Sequence, residues 1–377
     1  MNMKFLAVAL QIAFVASVGA NGAQPPSNPG NPPTNPPANP PAEPPVESCG
    51  ASPVLRDCLK FDAQVCQNDL LSESEGFAKD ASGGRGGELY AVTSLDDNPS
   101  SPAKGTLRHA VKSSAKKWIV FKVSGTINLK AKLVITSDKT LDGRGSKVLI
   151  RGHSVDIPGT SKNVIVSDLS FRDSYTGSGD GEGFDAIGIS DGAKGVWIHH
   201  VSVAKSGDGL IDMKRGATDI TISWTRFSEN TSKAMLITAT SDKKSGRVSL
   251  HHNHWLKGDD RQPKVDGYWL HIYNNFYDQS ERGTDITCYN GCQMFVENNV
   301  WKPVSSNENK LGVEKKDGDK HTQGFARIAG NYLTRGVYLD TNKPEKVFVP
   351  ASYYNYSPDK ADEDLACRVK KFAGPRG

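Results

Sequence analysis

From about residue 162 onward the chain repeats a short phrase: apolar and polar positions alternate, two or three polar residues follow, and an apolar or aromatic residue closes. In order the phrases are VIVSDLSF (Val164–Phe171), VWIHHVSV (Val196–Val203), ITISWTRF (Ile220–Phe227), VSLHHNHW (Val248–Trp255), LHIYNNFY (Leu270–Tyr277), MFVENNVW (Met294–Trp301) and ARIAGNYL (Ala326–Leu333). Their starts fall 22 to 32 residues apart. Alternation with a period of two sends one set of side chains inward on a β-strand, and self-similarity at this spacing indicates a solenoid or a propeller. A propeller blade takes roughly 40 residues for its four strands, more than these units supply. The pattern therefore predicts an all-β chain wound as a single-stranded parallel β-helix. Asn253, Asn275, Asn299 and Asn331 occupy the same place in four phrases. Amides stacked one rung apart can bond along the axis as a ladder; the alternative is a row of exposed turn asparagines. Upstream, Thr126–Gly145 reads as further strand pieces and a turn, and a helix is predicted only around Thr106–Ser114, as an N-terminal cap.

Composition sets the boundaries. The chain has 377 residues, 23% charged and 37% hydrophobic, with a net charge of +4. One apolar run, Phe5–Ala20, follows Lys4 and ends among small residues, which predicts a signal peptide over 1–23 and export rather than a spanning helix. Residues 24–47 hold 11 of the 21 prolines and read as an extended linker. A cysteine-containing segment (48–75), a β-helix (76–340) and a C-terminal segment packed on it (341–377) complete the expected organisation. Six cysteines suit a secreted, extracellular protein and allow about 15 pairings. Cys288 and Cys292 read either as part of that framework or as a zinc pair.

On a solenoid, chemistry comes from side chains projecting from one wall. An acidic cluster (Asp180, Glu182, Asp185, Asp208, Asp212) lies at corresponding places in successive coils, where carboxylates one rung apart could share a hard cation such as calcium. A basic cluster follows: Lys205, Lys214, Arg226, Lys233, Lys257, Arg261 and Lys264. Such residues next to a cation site make poor sense as internal salt bridges and better sense around a polyanion. An acidic extracellular polysaccharide satisfies both clusters; the exported chain carries no nucleic-acid-binding motif. His199, His200, His251, His252 and His254 form a third cluster. His199 and His251 stand about two rungs apart, too far for shared zinc, which predicts a structural role.

The chain resembles the pectate lyase family of right-handed parallel β-helix enzymes. The resemblance rests on Gly76–Leu95 (GFAKDASGGRGGELYAVTSL), GTLRHAV from Gly105, TLDGRG from Thr140, DAIGI from Asp185, VWIHH from Val196, DGLID from Asp208 and RQPKVDGYWLHIYNN from Arg261. It covers residues 75 to 335 and implies calcium-dependent β-elimination of polygalacturonate by a secreted monomer. Carried over by position, Asp185, Asp208 and Asp212 are the implied calcium ligands, and Glu182 or Asp180 would substitute for the aspartate missing at Gly183. Arg261 is the implied base at C5 and Lys233 the implied substrate-binding lysine; Lys264 would replace the missing second arginine, and Lys205 and Arg226 of the basic cluster would also bind substrate. Three positions depart from the family pattern. Gly183 stands where a further aspartate is common, Asp266 where a second arginine is usual, and Trp197-Ile198-His199-His200 replaces Trp-x-Asp-His. A pectin lyase on the same fold would lack the acidic trio, and a hydrolase would have no use for the Arg261 region. A catalytically weak pectin-binding wall protein is the alternative from a different class.

Overall fold

The computed structural model describes residues 49, 56, 58–175, 177, 183–229, 233–239, 245–258, 260–279, 286–304, 309–312, 322–334 and 337–376. The predicted signal peptide, the proline-rich linker, Asp180 and Glu182 lie outside the described residues. Three long sheets, of ten, nine and nine strands, run the length of the molecule. The chain visits them in rotation. Lys162–Ser167 belongs to sheet 1, Ser170–Arg172 to sheet 2 and Ile187–Ser190 to sheet 3, after which Lys194–His199 returns to sheet 1 beside Lys162–Ser167. Within the three sheets the strands pair in parallel, as between Val164, Val196 and Ile220, so the chain is a parallel β-helix. The repeated phrase is the sheet 1 strand, a corner and the start of the sheet 2 strand. Sheet 1 also takes in Glu88–Val92, Lys117–Phe121 and Lys139–Asp142, upstream of the seven phrases.

The inward columns are β-branched and aliphatic because such side chains fill a pleated, buried surface. Val164 and Val166 lie over Val196 and Ile198, then Ile220 and Ile222, all buried. Where the closing residue is aromatic in successive phrases it forms an inward stack on sheet 2: Phe227 on Trp255 (4.1 Å between centroids), then Tyr277 on Trp301 (4.5 Å). Helix α1 (Ala63–Leu71) precedes the coils. Helix α2 (Leu107–Lys112), capped by the Thr106 hydroxyl, puts Leu107, Ala110 and Val111 into the core. Helix α3 (Glu363–Phe372) packs on sheet 2 through Leu365, Ala366 and Val369 against Phe276 and Val300.

The corner from sheet 1 to sheet 2 carries the asparagine ladder. Asn253 Nδ2 donates to Asn275 Oδ1 (2.9 Å), Asn275 Nδ2 to Asn299 Oδ1 (2.9 Å) and Asn299 Nδ2 to Asn331 Oδ1 (3.0 Å). Asn253, Asn275 and Asn299 are fully buried. The residue before each rung is left-handed, with His252 at φ 54°, Asn274 at 54° and Asn298 at 51°, a conformation in which asparagine and histidine are enriched. That bend turns a strand into the next sheet without a long loop.

His199 and His251 end sheet 1 strands, His200 and His252 occupy the left-handed corner that follows, and His254 begins a sheet 2 strand, 3.1 Å from Asp278. His199 Nε2 meets Glu73 Oε2 (2.7 Å), its Nδ1 meets Ser223 Oγ (2.8 Å), and Arg376 reaches both Glu73 (2.8 Å) and Asp168 (3.0 Å). Burial pushes His199 and His251 well below the usual histidine range, so the guanidinium of Arg376, not an imidazolium, is the counter-ion of Glu73. The replacement of Trp-x-Asp-His thus belongs to a structural clamp. The disulfides are Cys49–Cys367, Cys58–Cys66 and Cys288–Cys292. The last excludes the zinc reading of that pair, and the first ties residue 49 to α3.

Candidate active site

Sheet 3 presents the acidic and basic residues. Period-two alternation buries Ile187, Ile211, Ile237 and Val265 inward and leaves an outward column in which Gly188 pairs with Asp212 and Leu236 with Lys264. A second outward column places Ser190 beside Lys214 and Thr238 beside Asp266. Three residues ahead of Gly188, Asp212, Leu236 and Lys264 stand Asp185, Gly209, Lys233 and Arg261. The chain segments approaching sheet 3 are stitched by backbone bonds from Ala186 N to Gly209 O, Leu210 N to Ala234 O and Met235 N to Arg261 O (2.8 to 2.9 Å). Carboxylates therefore occupy two neighbouring coils and cations the next two.

Asp185 and Asp212 converge. Asp185 Oδ1 accepts from Gly209 N and Asp212 Oδ1 from Leu236 N, both at 2.9 Å. A Cβ on residue 209 would stand 2.3 Å from Asp212 Oδ1 and 2.9 Å from Asp185 Oδ1, so only glycine leaves the space between them open. Burial, and then the negative charge of Asp185, push the Asp212 carboxyl up to about 6. The nearest positive charge is the Lys214 ammonium, 2.9 Å from Asp212 Oδ2 and 3.1 Å from Asp185 Oδ2. Asp208 lies apart, with its Oδ1 2.9 Å from Lys233 Nζ and its Oδ2 accepting from Gly183 N (3.0 Å). Burial opposes its charge, but these two partners outweigh burial and hold its carboxyl below the usual range. The three carboxylates do not all come within 4.8 Å of one another; among the described residues the sets that do are Cys58–Cys66–Asp142 and Glu73–His199–His200. The expectation that none of the lysines pairs internally is corrected, since Lys214 and Lys233 bridge to the acidic cluster.

Arg261 is left-handed (φ 58°) and precedes the cis Gln262–Pro263 bond. Its Nε is buried and has no hydrogen-bond partner among the described residues. Lys264 lies over the Tyr289 ring, 5.5 Å from its centroid. Asp266, in the place of the usual arginine, accepts from Asn290 Nδ2 (2.7 Å) and Thr238 Oγ1 (3.3 Å) and is thereby tied to the sheet. Lys205 sits at the corner leaving sheet 2, 3.7 Å from Asp173 and 61% exposed. Arg226 does not join the group, because it begins a sheet 2 strand. Sequence reading counted Lys214 only as one more cation. Period two could have flagged Lys214, two residues after Asp212 and hence on the same face of a strand.

The family model described as pectate lyase matches residues 63–375. The chain belongs to the pectate lyase family. It is 33% identical over 318 residues to putative pectate lyase 11 of Arabidopsis thaliana, an alignment covering 76% of each protein. To a pectate lyase of Zinnia elegans it is 34% identical over 318 residues, 76% of this chain and 78% of the other. Among solved structures, the cedar pollen allergen jun a 1 superposes with a TM-score of 0.65 at 26% identity, over 85% of this chain and 98% of the allergen. A pectate lyase of Bacillus sp. N165, solved in complex with trigalacturonate, superposes with a TM-score of 0.63 at 20% identity over 80% of this chain and 98% of its own, a likeness of fold alone. Pectate lyase membership thus rests on most of the chain, from α1 to the end of the C-terminal segment.

Proposed function

We propose that the chain is a secreted pectate lyase that cleaves (1→4)-α-D-galacturonan by calcium-assisted β-elimination. The observation that carries this reading is the convergence of Asp185 and Asp212 across Gly209, with Lys233, Arg261 and Lys264 on the two following coils. The donor set fits calcium: it is all oxygen, and the space beside Gly209 separates two carboxylates whose mutual repulsion a cation relieves. Asp185 and Asp212, with Asp208 and Glu182, are the residues that would hold it in exchange for the Lys214 contact. Bound there, calcium withdraws charge from a uronate carboxylate and so acidifies its C5 hydrogen.

The remaining roles belong to the chain. Lys233 and Lys264 bind uronate carboxylates, and Lys205, exposed at the groove's edge, adds a further positive charge along it. Arg261 takes the C5 proton. The C4–O bond then breaks, the C4=C5 double bond forms from the C5–H electron pair, and the leaving oxygen is protonated by solvent. Guanidinium seldom gives up its proton, so the assignment of Arg261 as base rests on the family resemblance and on its unpartnered, buried Nε. Export is supported by the three disulfides.

The test is ultraviolet absorbance of the conjugated product from polygalacturonate, with calcium and with a chelator. The expected result is a rise that the chelator abolishes and that Arg261→Lys lowers at least about 100-fold, as losing a proton-transfer group does, with polymer binding retained. A rise indifferent to the chelator would remove the aspartates as ligands. New reducing ends without absorbance would mean hydrolysis. Silence in both assays would favour the binding-only alternative, for which the lysine-filled acidic site is the supporting observation.

A further inference from the structure

Sheet 2, on another face of the solenoid, carries a cavity of about 590 Å³ closed on one side by the C-terminal segment. Its floor is a run of outward residues one rung apart, Ser170 paired with Ser202 and Ser202 with Arg226. Lys147 and Lys371 complete its positive charge. The one carboxylate in the lining, Asp168, is 1% exposed and is matched by Arg376, with Nε to Oδ1 and Nη2 to Oδ2 both at 3.0 Å. Neither Lys147 nor Arg226 has an ion-pair partner among the described residues. The cavity therefore faces solvent with an excess of positive charge, and its volume falls in the range of small-molecule sites, about 300–1,000 Å³.

We propose that this cavity is a second binding site for an acidic saccharide, remote from the sheet 3 groove. A guanidinium presents a planar fork that matches a carboxylate, so Arg226 receives a uronate carboxylate while Lys147 and Lys371 attract the neighbouring unit. Ser170 and Ser202 are short enough to let a sugar ring approach the sheet, and their hydroxyls match its hydroxyls. No aromatic side chain lines the cavity, so charge carries the affinity and salt weakens it. The choice of a uronate over other anions rests on the lyase reading above. A chain held on sheet 2 while another stretch enters the sheet 3 groove would raise retention on the polymer by effective concentration, without new contacts in the groove. This assignment also gives Arg226 a role that its position outside the groove denied it.

Equilibrium dialysis of the full chain against trigalacturonate at low salt tests the proposal, in an Arg261→Ala background that prevents turnover. Two equivalents are expected to bind. Adding Lys147→Ala and Arg226→Ala should weaken one of them at least about tenfold and leave the other unchanged, and a neutral galactose trimer should displace neither. An unaltered thermal midpoint shows that the variant is folded. One equivalent in the parent, or two that survive the double substitution, would overturn the site. Failure of the lyase reading has a separate signature: the wild-type chain gives no absorbance on polygalacturonate, while the number of bound equivalents stays measurable.

Discussion

Replacing Asn275 by alanine should unfold the corner between sheets 1 and 2 at a temperature well below that of the wild type, without touching the groove. Asn275 is fully buried. Its Oδ1 accepts from Asn253 N (3.0 Å) and Asn253 Nδ2 (2.9 Å), and its Nδ2 donates to Asn299 Oδ1 (2.9 Å) and to the Leu250 carbonyl (2.9 Å). Truncation leaves the Asn253 backbone N–H and one Asn253 Nδ2 hydrogen without an acceptor, while Asn253 Nδ2 keeps the Ile222 carbonyl (2.9 Å) and Asn299 Oδ1 keeps the Asn275 amide. A buried polar group left without a partner costs about 1–3 kcal/mol. With partial relaxation, two such hydrogens amount to about 2–4 kcal/mol. At roughly 2 °C per kcal/mol for a chain of this size, the midpoint should fall by about 4–8 °C. Calorimetry at one scan rate, disulfides intact, gives the comparison even if unfolding is irreversible. Asn331→Ala is the control. Asn331 is only half-buried and ends the ladder, so water replaces it and the loss should be about 1 kcal/mol. Equal losses for the two variants would refute the claim that stacked, dry amides hold the corner, as would lost turnover at 25 °C in a fully folded Asn275→Ala.

Two further outcomes follow from other parts of the molecule. Gly209→Ala should bind calcium at least about tenfold more weakly by calorimetry while melting within a few degrees of wild type, because the new methyl must push the Asp212 carboxylate off the Leu236 amide; unchanged affinity would place the cation elsewhere. Asp359, whose hydrogen bond from His252 holds its carboxyl down to about 2 against the opposing effect of burial, helped by Arg368, contributes stability above pH 4 that disappears as pH falls towards 2. The melting difference between wild type and Asp359→Asn should therefore be present at pH 5 and vanish near pH 2, and a difference that grows on acidification would contradict that linkage.

The solenoid was legible because its repeat is carried by side chains that must face inward. Val196, Trp197 and Ile198 display the period of two directly, and the asparagine column predicted a ladder whose bonds the structure supplies. Among the first sheet 1 strands, Lys139–Asp142 falls in the stretch read as strand pieces, whereas Glu88–Val92 and Lys117–Phe121 escaped because no asparagine column marks their corners. The helices α1 and α3 escaped, although both are longer than α2, because packing on the coils is what makes them stable. In the site, residue identity was legible and pairing was not. Asp185, Asp208 and Asp212 could be grouped by coil, but which carboxylate meets which lysine depends on side-chain direction across rungs. That Arg226 points from sheet 2 follows from its place after the Trp224 corner, and a motif read without its corner misassigns the face.

The separation of faces explains why the groove can hold an arrangement that stability alone disfavours. Two carboxylates brought together beside Gly209 repel, and Asp212 is buried as well. Removing charges from water costs several kcal/mol each unless partners are close, so such a cluster persists only on a scaffold rigid enough to impose it. Here the imposing contacts lie elsewhere: the dry ladder at one corner, the aromatic stack inside sheet 2, and the Glu73–Arg376–Asp168 clamp over sheet 1. None of them involves a sheet 3 side chain. Lys214 neutralises the pair locally, yet a single ammonium offers one charge to two carboxylates, whereas a divalent cation offers two and accepts more oxygen ligands. The resting salt bridge is thus a weaker solution of the same electrostatic problem that the proposed calcium would solve, and cation affinity would be set by the difference between the two.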